Sequence, residues 1–246
     1  MSQAEVVGGL HAVESLLANA PERIKRLQVA ADSSDLRLGA IITRAEGLGI
    51  SVERVRRDRL DRGQGDLRHQ GVLAWTLPRR RTTEADLADL VAGGANLFLA
   101  LDGVTDPHNL GACLRSADAA GASAVIVPRD RSASLTPAAA KAASGAAETV
   151  PLISVVNLAR TLRTLREQGI WAVGLAGDTD TWLYQVDLTL PTVLVMGAEG
   201  EGLRRLTRET CDHLAAIPMA GSVSSLNVSV ATGIALFEAV RQRARG

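Results

Sequence analysis

No unbroken apolar run in the 246 residues approaches the roughly 18 to 20 needed to cross a bilayer. The opening segment, MSQAEVVGGLHAVESLL, lacks the basic-then-apolar order of a secretory leader. These absences predict a cytoplasmic protein without a membrane partner. Cysteine is scarce. Cys113 and Cys211 lie far apart in apolar or helical surroundings, which excludes a disulfide framework or a Cys-x-x-Cys metal clip and predicts two buried thiols. Aromatic residues number six, too few for a surface that holds single strands by stacking base after base. Net charge is absent as well, with 27 Lys and Arg against 27 Asp and Glu, so charge alone cannot coat nucleic acid.

What charge there is sits unevenly. Residues 1–81 carry 14 Lys or Arg against 10 Asp or Glu, and of those cations Lys25 alone is not arginine. Guanidinium is suited to bidentate phosphate contact, although a solvated arginine-rich face is the plainer explanation of the same numbers. Apolar residues make up 46% of the chain, enough for one large core or two modest ones.

Periodicity predicts a helix over His11–Asn19, a strand over Arg26–Ala31, a helix over Leu36–Leu48 and strands at Ile50–Val55 and Gly71–Thr76, the last entered through a loop with Gly63 and Gly65. That alternation makes a small α/β domain over residues 1–77. A proline-started charged stretch opens a linker placed at 78–94. From 95 to 246 short β-branched runs (LFLALD, AVIVP, LISVV, IWAVGLA, TVLVMG, LAAIPM) alternate with helices, including one near Ala138–Ala143, Leu158–Glu167 and a last one over Val228–Arg243. Continuous apolar strands between helices predict a parallel sheet covered on both faces, a doubly wound α/β domain.

In such sheets ligands bind beyond the carboxyl ends of the strands. Three loops there stand out. The first, Asp102 to Arg115, contains Asp106-Pro107-His108-Asn109 and leads into a helix on which Arg115 follows Asn109 by six residues, on broadly the same side. The second, Met196-Gly197-Ala198-Glu199-Gly200-Glu201-Gly202, brings backbone close to a ligand, but its spacing is not G-x-G-x-x-G and two carboxylates would repel a pyrophosphate. That argues against a dinucleotide-dependent oxidoreductase and favours a ligand with positive charge, such as the sulfonium of S-adenosylmethionine. The third, Ile217 to Ser229, enters the last helix through Ser224-Ser225-Leu226-Asn227. Taken singly, Asn109, Ser225 and Asn227 read as helix caps.

Together, and in this order, the three loops resemble the three motifs of the SpoU (TrmH) branch of the SPOUT methyltransferases, from about Leu97 onward. GGLHAVESLL at residues 8–17 and LRHQGVLAW at residues 67–75 resemble the substrate-binding domain of members that methylate a guanosine ribose of 23S rRNA. In the second of these, Arg68, His69 and Gln70 are expected to meet phosphate and base edges. The resemblance implies a C-terminal deep trefoil knot over roughly Leu194 to Asn227, S-adenosylmethionine held there, and S-adenosylhomocysteine as product. It implies contacts to the cofactor from Gly197, Ile217, Met219, Leu226 and Asn227, a catalytic set of Asn109, Arg115, Glu199, Ser225 and Asn227, and no metal. It implies a homodimer to which Val230, Ile234, Leu236 and Phe237 contribute, and 23S rRNA or a large-subunit assembly intermediate as partner. Because a guanidinium is a permanent cation, Arg115 is read as binding the neighbouring phosphate and stabilising the developing 2′-oxyanion, with Asn109 and Glu199 holding it and a water taking the proton. Two alternatives stay open: a tRNA ribose methyltransferase of the same branch, and a non-catalytic rRNA-binding assembly factor.

Overall fold

The computed structural model describes residues 5–33, 35–62, 69–78 and 82–244. The Gly63/Gly65 loop, Arg68 and the arginines 79–81 of the sequence-predicted linker lie outside them. The chain divides into two units, one of residues 1–80 with 144–149, the other of 81–143 with 150–246.

The first unit begins with a strand that periodicity did not reveal, β1 (Glu5–Gly8), followed by α1 (Leu10–Asn19), β2 (Ile24–Ala30), α2 (Leu36–Gly47), β3 (Val52–Val55), a short α3 (Arg57–Asp61) and β4 (Val72–Thr76). Strand order is β1-β4-β2-β3, with β1 and β2 antiparallel to β4 and β3 parallel to β2. Asp35 starts α2 by accepting from the Arg37 N–H at 2.8 Å. Leu38, Ile41, Ile42 and Ala45 then recur on one face and join Val13, Leu16 and Leu17 of α1 over Leu27, Val29, Val72 and Ala74 of the sheet.

The second unit opens with α4 (Glu84–Ala92) and continues β5 (Leu97–Asp102), α5 (Pro107–Ala119), β6 (Ala124–Pro128), α6 (Pro137–Ala143), then α7 (Ala146–Thr149), which belongs to the first unit. It goes on through β7 (Leu152–Val155), α8 (Leu158–Glu167), β8 (Trp171–Leu175), β9 (Thr192–Gly197), α9 (Arg205–Thr210), β10 (His213–Ala215) and α10 (Val228–Arg243). Helix α4 corrects the placement of the linker out to 94. The Asp86 carboxylate accepts from the Thr83 N–H at 2.7 Å and its hydroxyl at 2.9 Å, and Leu87 is buried, so this polar stretch is anchored helix. The strand expected over LAAIPM is shorter than its apolar run: the ladder with β8 stops at Ala215, Ala216 bridges to Trp182 instead, and Pro218 has no N–H to extend the pairing.

All six strands of this unit are parallel, in the order β10-β8-β9-β5-β6-β7, as the doubly wound reading expected. The chain runs outward from β5 to β7 on one side and returns through β8, β9 and β10 on the other. The order therefore reverses at β5, where it lies beside β9 with Asp102 opposite Gly197. No helix among the described residues is long and apolar enough to cross a membrane. Cys113 is fully buried, whereas Cys211 is only partly so; burial pushes the first thiol up to about 11 and, with the charges of Asp212 and Asp102, the second to about 12.

Helices α5 and α6 meet at Gly111. A β-carbon there would overlap the carbonyl oxygen of Ala139 and lie 2.5 Å from the Ala142 β-carbon. Because one of these atoms is backbone, relief requires α6 to move. Gly111→Ala is expected to destabilise the protein by about 1–3 kcal/mol. That corresponds to roughly 2–4 °C in Tm per kcal/mol for a chain of this size, readable by calorimetry; an unchanged Tm would show that the two helices separate freely.

Candidate active site

The switch in strand order determines where a ligand fits. At such a switch point the connections leave neighbouring strands in opposite directions, and ligands bind at that edge. After β5, Asp106 caps α5 by accepting from the His108 N–H at 2.9 Å, and Pro107 occupies the first helical turn. The cap is therefore Asp106, not Asn109, and Asn109 is free to use its amide elsewhere. After β9 the chain folds tightly back on itself. Ala198 and Gly202 exchange backbone hydrogen bonds at 3.1 and 2.9 Å, and a β-carbon on Gly197 would overlap the carbonyl group of Gly202. Only glycine fits, and the turn presents Glu199 to solvent.

Asn227 begins α10. Its Oδ1 accepts from the Ser229 N–H at 2.9 Å and hydroxyl at 2.6 Å, while its Nδ2 donates to Glu199 Oε1 at 2.6 Å and to Asn109 Oδ1 at 3.0 Å. Asn109 Nδ2 donates to the same Glu199 oxygen at 3.2 Å, and the Val228 N–H approaches it at 3.4 Å. Three loops separated by 28 to 118 positions thus close one ring of hydrogen bonds. Glu199 Oε1 takes three donors, and its Oε2 has no partner among the described residues.

Behind the ring lies a pair that sequence reasoning does not reveal. Asp102 ends β5 fully buried, and its carboxylate accepts from the Arg204 N–H at 2.9 Å and from Arg204 Nε at 2.5 Å. The guanidinium neutralises a charge that, left alone in the interior, would cost about 3–5 kcal/mol. The pair also ties the exit of the glycine loop to the end of β5. An aspartate closing an otherwise apolar strand was the available signal.

Arg115 is placed differently from the expectation. It is exposed, with no hydrogen-bond or ion-pair partner among the described residues, while Asn109 is nearly buried. Six residues on a helix put the two side chains about 120° apart. Asn109 and Glu199 therefore hold Asn227, not the arginine. Ser225 is exposed and makes no side-chain bond to the ring. Gly197, Ile217, Met219 and Leu226 are half-buried. Among the described residues, no hydrogen bond engages the main chain from 217 to 226. That stretch offers an unpaired series of donors and acceptors.

The first unit corrects another expectation. In LRHQG, expected to meet RNA, His69 is buried: its Nε2 lies 2.8 Å from Asp61 and its Nδ1 accepts from the Gly71 N–H at 3.0 Å. Gln70 accepts from the Leu10 N–H at 3.2 Å, at the start of α1. Both fasten the loop to its own unit. Several of the arginines meet carboxylates there, among them Arg23 with Glu5 and Glu148, Arg37 with Glu14 and Arg59 with Glu53. Arg26 lies over the Trp75 ring at 4.8 Å.

Residues 96–237 match the SpoU rRNA Methylase family, and residues 6–81 match the family of RNA 2′-O ribose methyltransferase substrate-binding domains. The chain is 58% identical over 241 residues to the 23S rRNA (guanosine-2′-O-)-methyltransferase RlmB of Escherichia coli strain K12, covering 98% of this chain and 99% of that one. It is 55% identical over 245 residues to the protein of the same name from Pseudomonas syringae pv. tomato, covering 99% and 98%. Its fold superposes with a TM-score of 0.78 on the SpoU methyltransferase AviRb from Streptomyces viridochromogenes in complex with the cofactor AdoMet, at 26% identity over 99% of this chain and 92% of that one. The parallel sheet, the ring at its switch point and both family matches converge: the chain belongs to the SpoU rRNA methylase family.

Proposed function

We propose that this protein transfers the methyl group of S-adenosylmethionine to the 2′-hydroxyl of a guanosine ribose in 23S rRNA, acting as a cytoplasmic homodimer. The observation that carries the reading is the Asn109–Glu199–Asn227 ring, which joins the three family loops at one point of the sheet edge. Relatives that match nearly the whole chain bear that activity in their names, which favours 23S rRNA over tRNA as substrate.

The residues present suit the cofactor. Gly197 lets the loop after β9 close on Gly202 with no side chain between, and the unpaired main chain at Ile217, Met219 and Leu226 can bind an adenosine and an amino-acid group. Glu199 and Glu201 place negative charge where a sulfonium is favoured and a pyrophosphate is not. Membership of the family supports a knotted path over roughly 194–227. When bound, S-adenosylmethionine supplies an electrophilic methyl group on positively charged sulfur.

The chain's own work is positioning. The ring fixes Asn227 and so the start of α10, and it leaves Glu199 Oε2 as an acceptor that its own hydrogen bonds do not use. Arg115, with no partner among the described residues, binds the RNA phosphate and stabilises negative charge on the 2′-oxygen as its proton passes to water. Ser225, beside the ring, orients the ribose. In the dimer, Val230 and Phe237, each about half exposed, form the contact with Ile234. Leu236 is fully buried within its own subunit and takes no part, which corrects its place in the expected contact.

Asn227→Ser separates the ring from the cap. Serine caps a helix about as well as asparagine, yet has no amide to reach Glu199 and Asn109. Methyl transfer from labelled cofactor to 23S rRNA is expected to fall at least about ten-fold, the equivalent of roughly 1.4 kcal/mol, with Tm nearly unchanged. Full activity would remove the ring from the mechanism.

Arg115→Ala is expected to abolish turnover while cofactor affinity, measured by calorimetry, stays within a few-fold. Arg115→Lys keeps the charge and loses the planar fork, so it retains little activity if fork geometry matters. Methylation of tRNA but not of 23S rRNA by the wild type would move the substrate.

Light scattering at micromolar concentration is expected to show a dimer, and Phe237→Glu a monomer. A monomeric wild type would end the dimer reading.

A further inference from the structure

The same edge of the parallel sheet holds a second opening. Beyond the ends of β6 and β7, a cleft of about 640 Å³ lies between the loop after β6, the start of α8 and the start of α9. The charged groups on its wall are Arg131, Arg204, Arg205 and Asp130, and exposed Val156 and Leu206 supply apolar surface. Arg204 is committed to Asp102. Arg205 is exposed and, among the described residues, meets only the exposed Glu209, at 2.9 Å, a pair that water and salt readily loosen. Arg131 adopts a left-handed backbone, φ 58°, unusual for a residue with a side chain, and its guanidinium has no partner among the described residues. Two arginines thus stand available on a cleft with an apolar floor. That combination suits a nucleotide, whose phosphate takes the guanidinium forks and whose base or ribose takes the aliphatic side chains.

The cleft is coupled in sequence to the catalytic ring. Arg204 and Arg205 follow Glu199 by five and six residues, so a fully extended chain would carry them no further than about 22 Å from it. We infer that this cleft seats a nucleotide of the substrate RNA flanking the ribose to be methylated, with Arg131 and Arg205 as its phosphate contacts. The inference rests on the proposed RNA methyltransferase activity. It gives the catalytic unit an RNA contact of its own, outside the basic N-terminal unit and outside the three family loops that hold cofactor and target.

The test uses the full chain, a 23S rRNA fragment that the wild type methylates, and the double variant Arg131→Ala/Arg205→Ala. The variant is expected to bind S-adenosylmethionine within two-fold of wild type and to keep its Tm. Its KM for RNA rises at least about ten-fold, while kcat at saturating RNA changes little. The slope of log affinity against log salt should become shallower by roughly 0.7 for each phosphate that the protein no longer neutralises. Arg131→Lys/Arg205→Lys, which keeps both charges, should restore most of the affinity. Unchanged RNA affinity and salt slope in the alanine variant, with the wild type active, would overturn the cleft and leave the activity standing. A wild type that neither binds nor methylates any RNA overturns both. Free mononucleotide competing at the cleft without any loss of RNA affinity in the variant would assign the opening to a small ligand and likewise end the proposal.

Discussion

One carboxylate oxygen, Glu199 Oε1, holds the catalytic unit's functional edge together. It accepts from Asn109 on α5, from Asn227 at the start of α10 and from the Val228 backbone. Hydrogen bonds to a charged acceptor are roughly twice as strong as neutral ones, and here they converge from elements that no short-range contact could bring together. Asparagine suits the other two corners because one amide both donates and accepts: Asn227 caps its helix with Oδ1 while Nδ2 faces the ring. Neither aspartate nor serine could fill that double role, since the first brings a second negative charge to Glu199 and the second lacks reach.

The ring is stiff because its supports are fixed elsewhere. Asp102 and Arg204 lock the exit of the glycine loop to the end of β5. At the far end of α10, Gln242 accepts from the Leu188 N–H and donates to the Val186 carbonyl, and Arg243 donates to the carbonyls of Leu188, Leu190 and Asn96. The Asn96 carbonyl also accepts from the Thr192 N–H and the Leu190 carbonyl from the Thr192 hydroxyl, so Arg243 adds second donors to acceptors already engaged and joins the end of α10 to the entrances of β5 and β9. Burial works against the charge on Arg243 and lowers its pKa, yet its many acceptors keep the group in place. The result is a helix clamped at both ends, with its active terminus set by a distant one.

Much of this was readable in the residues. Continuous β-branched runs announced the parallel sheet, and three unusual loops after strands marked the edge that matters, including Asn109, Glu199 and Asn227. Interactions across long separations were not readable. Nothing local in LFLALD says that Asp102 waits for Arg204, or that Asn109 bonds Glu199 and leaves Arg115 outside. The short elements β1, α3 and α7 escape notice because four or five residues carry too little periodicity to stand out. The polar helix α4 escapes because its only buried residue is Leu87, and its capping pattern, Thr83 to Asp86, reads equally well as linker. His69 and Gln70 look like surface recognition groups because polar residues in a loop usually are; in the structure His69 is buried against Asp61, and the exposed Gln70 is occupied by the Leu10 N–H.

The ring's third corner comes late in the chain. Asn227 follows Asn109 by 118 positions and Glu199 by 28, and it is held in place only when α10 docks against α5 and the β8–β9 connection. During translation, a polypeptide that has emerged as far as the glycine loop can already pair β9 with β5, but it lacks two of the three donors to Glu199. Domains fold as units once their sequence is complete, and here completeness is enforced by chemistry as well as by packing. A chain that still lacks Asn227 and Val228 therefore leaves the ring open, with Asn109 alone to donate to Glu199.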